Sequence, residues 1–291
     1  MFRRLVPGLG RCLAPVLGLC LVFVPAAPRA QALSDALSTQ GALTRLDTGD
    51  QGRGWEAVGR LDIDGKGFCT GALIASDLVL TAAHCLYDRR TGTRIAPDRI
   101  EFLAGFRNGR AAAYRSVRRA VTHSDYRYAE TVSADRVRRD VALLELDMPI
   151  RNTQVIPFAT DARPGPGDRI GVVSYARDRA EAPSLQEICD VMGRQDGMLV
   201  MSCDVDFGAS GSPVFAFDGG QPRIVSVVSA KAEVGGARVA LGADLAPTLD
   251  SLRAALDAGG GYGLDAAPGE ARIRVGGGRE TSGAKFVRAA N

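Results

Sequence analysis

From residue 55 onward, apolar residues come in short runs, many of them β-branched or alternating with polar neighbours, cut by Gly, Asp and Pro. A first set occupies 57–63, 68–74, 78–80, 100–104, 114–121 and 141–146. The turn-rich stretch Pro164-Gly165-Pro166-Gly167-Asp168 separates it from a second set at 169–175, 185–192, 198–203, 213–217, 223–229 and 238–243. Alternation with period two buries one face of a strand, and short strands at this spacing predict an all-β sandwich or barrel. Two sets of about six predict two six-stranded antiparallel barrels, at about 55–160 and 165–245. One helix is legible: Leu245, Leu249, Leu252 and Leu256 recur at near-helical spacing, with Pro247 near the start and Gly259-Gly260-Gly261 as a stop. Residues 33–54 are polar and Gly-rich without a period, and read as a propeptide or mobile arm. Residues 258–291 form a Gly-rich extension, either a tail or short strands at 272–275 and 285–287 added to an edge.

The N-terminus sets the compartment. Arg3, Arg4 and Arg11 precede an apolar run at 13–24 broken only by Pro15 and Gly18, and Ala30-Gln31-Ala32 is a small-x-small cleavage site. This is the pattern of a secretory signal peptide over 1–32, too short in its apolar part for a membrane span. The mature chain is therefore expected to be secreted or periplasmic, with no membrane association. Cleavage would remove four arginines and no acids, taking the formal charge from +3 to −1. The basic balance thus belongs to the signal and makes no case for a nucleic-acid partner. Of six cysteines, Cys69, Cys85, Cys189 and Cys203 would remain, and an even number in an exported chain implies two disulfides. With no CxxC pair and two histidines far apart, neither metal nor cofactor is expected.

Three short segments carry chemistry-bearing residues. His84 follows the apolar run 78–80 in Thr81-Ala82-Ala83-His84-Cys85, where small neighbours leave its ring room to face a cleft; a structural histidine beside a cysteine reads equally well. Asp140 precedes the apolar Val141-Ala142-Leu143-Leu144, and a carboxylate at the mouth of a buried strand needs a donor such as an imidazole N–H or nearby backbone. Ser210 lies in Gly208-Ala209-Ser210-Gly211-Ser212-Pro213, whose glycines permit positive φ and a tight loop with convergent N–H groups; an ordinary polar turn has the same composition.

Together these segments resemble the trypsin/chymotrypsin superfamily of serine proteases, and within it the bacterial glutamyl-endopeptidase-like branch. The resemblance rests on Phe68-Cys69-Thr70-Gly71-Ala72-Leu73-Ile74 followed by Val79-Leu80-Thr81-Ala82-Ala83-His84-Cys85, on Asp140-Val141-Ala142-Leu143-Leu144-Glu145-Leu146, and on the Ser210 loop, and it covers about 55–257. The order His, Asp, Ser differs from that of subtilisins and α/β-hydrolases. It implies a chymotrypsin-like fold and a secreted serine endopeptidase acting on protein or peptide substrates as a monomer. Ser210 would be the nucleophile, His84 the base and Asp140 the orienting carboxylate, with the N–H groups of Gly208 and Ser210 as oxyanion hole. It also implies the pairs Cys69–Cys85 and Cys189–Cys203. His123 falls at a structural position of the family. A catalytically inactive, protease-fold binding module is the alternative.

Two departures bear on activation and specificity. Ala209 stands where animal zymogens carry the Asp that pairs with a freed N-terminus, so that ion pair cannot form. Val228 stands where glutamate-specific members carry a histidine, so glutamate specificity is not implied. Asp204, six residues before Ser210, has the offset of the acid at the base of the trypsin specificity pocket, with Ser229, Gly242 and Ala243 as expected walls. That arrangement would favour Arg or Lys before the scissile bond, with a small or apolar residue there as the equal alternative.

Overall fold

The computed structural model describes residues 41–161, 164–217, 221–234 and 236–263. A two-residue strand, β1 (Thr44–Arg45), comes first, and the first barrel follows. Its strands are β2 (Val58–Ile63), β3 (Gly67–Ala75), β4 (Leu78–Thr81), β5 (Ile100–Ala104), β6 (Ala113–Thr122) and β7 (Ala142–Leu146). They pair antiparallel in the order β6-β5-β2-β3-β4-β7, and pairing of β6 with β7 closes the ring. The second barrel comprises β8 (Arg169–Ser174), β9 (Ser184–Gln195), β10 (Met198–Met201), β11 (Pro213–Ala216), β12 (Arg223–Val234) and β13 (Ala237–Asp244). It runs β9-β10-β13-β12-β11-β8 and closes through β8 and β9. Two closed six-stranded antiparallel barrels agree with the reading of the strand periodicity, because closure hides one face of every strand and all the edges.

Each barrel fills its own interior. Leu61, Leu73, Leu80, Phe102 and Leu144 are fully buried in the first, and Ile170, Leu199, Met201 and Val214 in the second. The strands β7 and β8 are almost wholly buried, which is why they read as continuous apolar runs rather than alternations. Helix α1 (Ala134–Arg139) was not legible: it is six residues long, held at its start by the Ser133 hydroxyl accepting the Arg136 N–H at 3.2 Å. It ends at Asp140, directly before β7. Helix α2 (Leu245–Asp257) matches the leucine spacing, buries Leu245, Leu249 and Leu252, and packs across β12, β6 and β7. Each buried leucine stabilises by about 1.5–3 kcal/mol, so α2 is a clamp spanning both barrels.

The two flanking segments depart from expectation where they are described. Residues 41–54 are not a free arm: β1 pairs with β9, the Gly41 N–H donates to Ile188 O at 2.8 Å, and Leu46 is 3% exposed. A single buried leucine and an unpaired sheet edge overrode the polar composition. At the other end, β14 (Tyr262–Gly263) pairs with β6, adding a strand earlier than the segments proposed at 272–275 and 285–287. Those segments, and the signal region 1–32, lie outside the described residues.

Candidate functional site between the barrels

A cleft of about 920 Å³ runs between the barrels, and His84, Gly208, Ser210 and Ser229 all line it. His84 sits on a 3-10 turn, Ala83–Leu86, that follows β4, and Cys85 on the same turn is bonded to Cys69 on β3. The second bond joins Cys189 on β9 to Cys203 just beyond β10. Both pairs are those expected.

Asp140 is fully buried, yet every hydrogen bond it needs is supplied. The His84 backbone N–H donates to Oδ1 at 2.8 Å, and His84 Nδ1 lies 2.6 Å from Oδ2. The Ser229 hydroxyl donates to Oδ2 at 2.5 Å. Burial by itself would push the Asp140 carboxyl up, but the neighbouring His84 charge and the bonds from His84 and Ser229 outweigh it and hold the group below the ordinary carboxylate value. The imidazole is fixed at Nδ1, leaving its other nitrogen for the cleft; the His84 side chain keeps 17% exposure.

Ser229 reaches Asp140 because β12 carries a bulge there. Val228 pairs with Gly242 and Ala230 with Leu241, so Ser229 is the extra residue between them. A bulge re-aims the side chain it carries. Ser229 therefore borders the cleft while its hydroxyl is committed to Asp140.

The Ser210 loop needs its glycines. Gly208 has φ +100°, and a Cβ there would lie 2.3 Å from the Phe68 ring; Gly211 has φ +79°, and a Cβ would lie 2.1 Å from Thr81 Oγ1. Ala209 is fully buried, and the loop is held without the zymogen-type ion pair. Instead Thr70 on β3 pins it: the Thr70 N–H donates to Ser210 O at 2.9 Å and its hydroxyl donates to Gly208 O at 2.9 Å. The Gly211 N–H donates to Val228 O at 2.8 Å. The N–H groups of Gly208 and Ser210 have no backbone acceptor among the described residues. Thr70 was missed in the sequence, since a threonine inside an apolar strand carries no sign that it faces a neighbouring barrel.

A family model described as a trypsin-like peptidase domain matches residues 69–222, more than half of the chain. The chain belongs to that family. Among the relatives of this chain is serine protease 23 of Bos taurus, 34% identical over 162 residues, covering 50% of this chain and 43% of the relative. Glutamyl endopeptidase of Bacillus licheniformis is 28% identical over 152 residues, covering 51% and 45%. The chain thus spans less than half the length of these relatives. A solved structure of Glu endopeptidase in complex with MPD superposes with a TM-score of 0.61 at 20% identity, covering 74% of this chain and 97% of that one, which shows the shared fold.

Asp204 departs most clearly from the position expected of it. It is exposed and does not line the cleft. The Cys189–Cys203 bond holds the segment against β9, and the Asp204 N–H donates to Gln186 Oε1 at 2.8 Å, so the carboxylate lies outside. Gly242 and Ala243 are likewise absent from the cleft; both are buried in β13, where a Cβ on Gly242 would strike the Ser226 hydroxyl at 2.4 Å. Of the acids that border the cleft, Asp206 lies nearest Ser210 in sequence, and it is paired with Lys231 at 2.6 Å. Its carboxyl is held below the ordinary value by the Lys231 hydrogen bond and the Phe207 N–H. His123 lies elsewhere, in a cavity of about 330 Å³ beside α2, accepting the Asp125 N–H at its Nδ1. Among the described residues the one cluster with metal-ligand spacing is Cys69, His84 and Cys85, and both cysteines are consumed by their disulfide.

Proposed function

We propose that the protein is a serine endopeptidase that cleaves peptide bonds through an acyl-enzyme on Ser210. The observation that carries this reading is the buried Asp140 carboxylate shared by His84 and Ser229, with the free side of His84 and the Ser210 loop in one cleft. Attack of Ser210 Oγ on the scissile carbonyl forms the Oγ–C bond as His84 takes the hydroxyl proton; collapse breaks the C–N bond as His84 returns that proton to the leaving amine. A water activated by the same imidazole then hydrolyses the ester. Asp140 holds the tautomer and offsets the imidazolium charge, and it remains ionised because its lone pairs are already engaged. The Gly208 and Ser210 N–H groups, which lack a backbone acceptor, would receive the developing oxyanion, each such donor contributing about 2.7–4 kcal/mol.

The two disulfides suit an oxidising compartment. With the signal pattern at 1–32, they support an exported protein acting on proteins or peptides outside the cytosol. Among the described residues no helix is long and apolar enough to cross a membrane.

Labelling with a fluorophosphonate tests the reading without knowledge of the substrate. Wild-type protein should label stoichiometrically on Ser210, Ser210→Ala should not, and turnover of peptide esters should fall by roughly 10⁶ in that variant. Absence of labelling in folded wild-type protein would leave the protease-fold binding module as the reading to hold.

A further inference from the structure

Phe207, three residues before Ser210, is 43% exposed at the edge of the cleft, and three cations converge on its ring. Lys231 Nζ lies 4.4 Å from the ring centroid, and the guanidinium carbons of Arg177 and Arg89 lie 4.8 and 5.6 Å from it. An aromatic face offsets part of the repulsion among such charges but does not neutralise them. Lys231 is compensated by Asp206. Arg89 and Arg177 form no salt bridge among the described residues, although Arg177 lies within the field of Asp206, and both are exposed.

The two arginines come from opposite barrels on rigid supports. Arg89 sits on a turn in which the Asp88 carboxylate accepts the N–H groups of Arg90 and Thr91 at 2.9 and 3.0 Å, while Gly92 N–H donates to Asp88 O at 2.8 Å. Arg177 opens a 3-10 turn between β8 and β9, and its N–H donates to Phe207 O at 2.8 Å, tying that turn to the Ser210 loop. Two guanidiniums gathered at one ring are suited to a carboxylate rather than to a neutral amide. Their position indicates which half of a substrate they meet. Arg89 continues the segment that carries His84, the group that hands its proton to the leaving amine, and Lys231 on β12 is already neutralised by Asp206.

From this geometry we infer that Arg89, Arg177 and Phe207 form a subsite for an acidic side chain in the first two residues after the scissile bond. The inference rests on the serine-endopeptidase reading above for its orientation. Substrate Glu or Asp there would lie on the ring edge between the two guanidiniums, and the pocket would discriminate against Lys and Arg at the same positions.

Cleavage of a peptide library by the wild-type protein, read by mass spectrometry, tests the placement; acidic residues should be enriched in the two positions after the cut. In matched internally quenched peptides, Glu should exceed Gln by about fivefold in kcat/KM, the size expected of one or two exposed charge pairs. Raising the salt to about 1 M should shrink that ratio through screening, without need of any variant. The Arg89→Gln, Arg177→Gln double variant should bring it close to one. Equal cleavage of Glu and Gln peptides, or acidic enrichment only before the cut, would overturn the inference. Should folded wild-type protein neither label nor cleave, the endopeptidase reading fails by itself. Fluorescence anisotropy with the library's Glu- and Gln-bearing peptides on Ser210→Ala protein then decides the subsite, and equal affinity rejects it.

Discussion

Strand β7 has a buried carboxylate near each end, and both are served by a bulge in a neighbouring strand. Asp140, just ahead of β7, receives the Ser229 hydroxyl from the β12 bulge. Glu145, 9% exposed near its far end, meets Arg118 and Arg119, which flank a register shift in β6; Arg119 Nε lies 2.7 Å away. The local device is the same and the chemistry is opposite. Glu145 is neutralised by two permanent cations, one half-exposed, so its charge is spent on holding β6 to β7. Asp140 is wholly buried and is met by a hydroxyl and by a ring whose charge changes with a proton, so its field stays available to that ring. Burial of an acid therefore says little about function; the titratability of its partners says more.

The widest gap between the two carboxylates should appear in turnover. Asp140→Asn should lower kcat by about 10⁴, because an amide cannot accept from both His84 N–H groups and Ser229 at once. Glu145→Gln should leave kcat within about twofold and cost instead about 2 kcal/mol of stability in urea unfolding. If Glu145→Gln were the slower enzyme, the functional and structural ends of β7 would have to be exchanged. A smaller effect belongs to the bulge: Ser229→Ala removes one hydrogen bond to a charged group, worth about 1.5–3 kcal/mol, and should lower kcat/KM by roughly tenfold. The smallest effect is in pH. The folded Asp140 carboxyl lies below its ordinary value, so its contribution to stability is present above about pH 3.9 and is lost as pH falls through the folded value. The excess of the wild-type urea midpoint over that of Asp140→Asn should narrow below about pH 4, and a gap constant from pH 6 to 3 would contradict the shift.

The barrels were legible because closed sheets impose a short, repeated period on the chain, and the leucine spacing of α2 survived for the same reason. The segments carrying His84, Asp140 and Ser210 were legible as motifs because loops at a shared cleft need particular residue types. What failed depended on register and on contacts across space. Asp204 has the right offset from Ser210, but a disulfide and Gln186 turn its backbone outward. Ser229 borders the cleft as expected, but its hydrogen bond to Asp140 was not legible, since a bulge leaves no mark in composition. Residues 41–54 looked unstructured because their anchor is one leucine and a row of backbone hydrogen bonds. The ring of cations at Phe207 gathers residues 89, 177, 207 and 231, and no linear reading joins them.

Thr70 joins the two halves of the chain with two polar groups, its N–H and its hydroxyl. Its N–H and hydroxyl hold the Ser210 loop, the hydroxyl oxygen accepts the Tyr175 N–H at 3.1 Å, and its carbonyl accepts from Thr81. None of these bonds beyond Thr81 exists until the second barrel has folded and docked on the first. The loop that presents Ser210 and the Ser229 bond to Asp140 therefore both require the two barrels to be joined. When the Ser210 loop takes its shape thus depends on when the two halves meet, and on no group outside the chain.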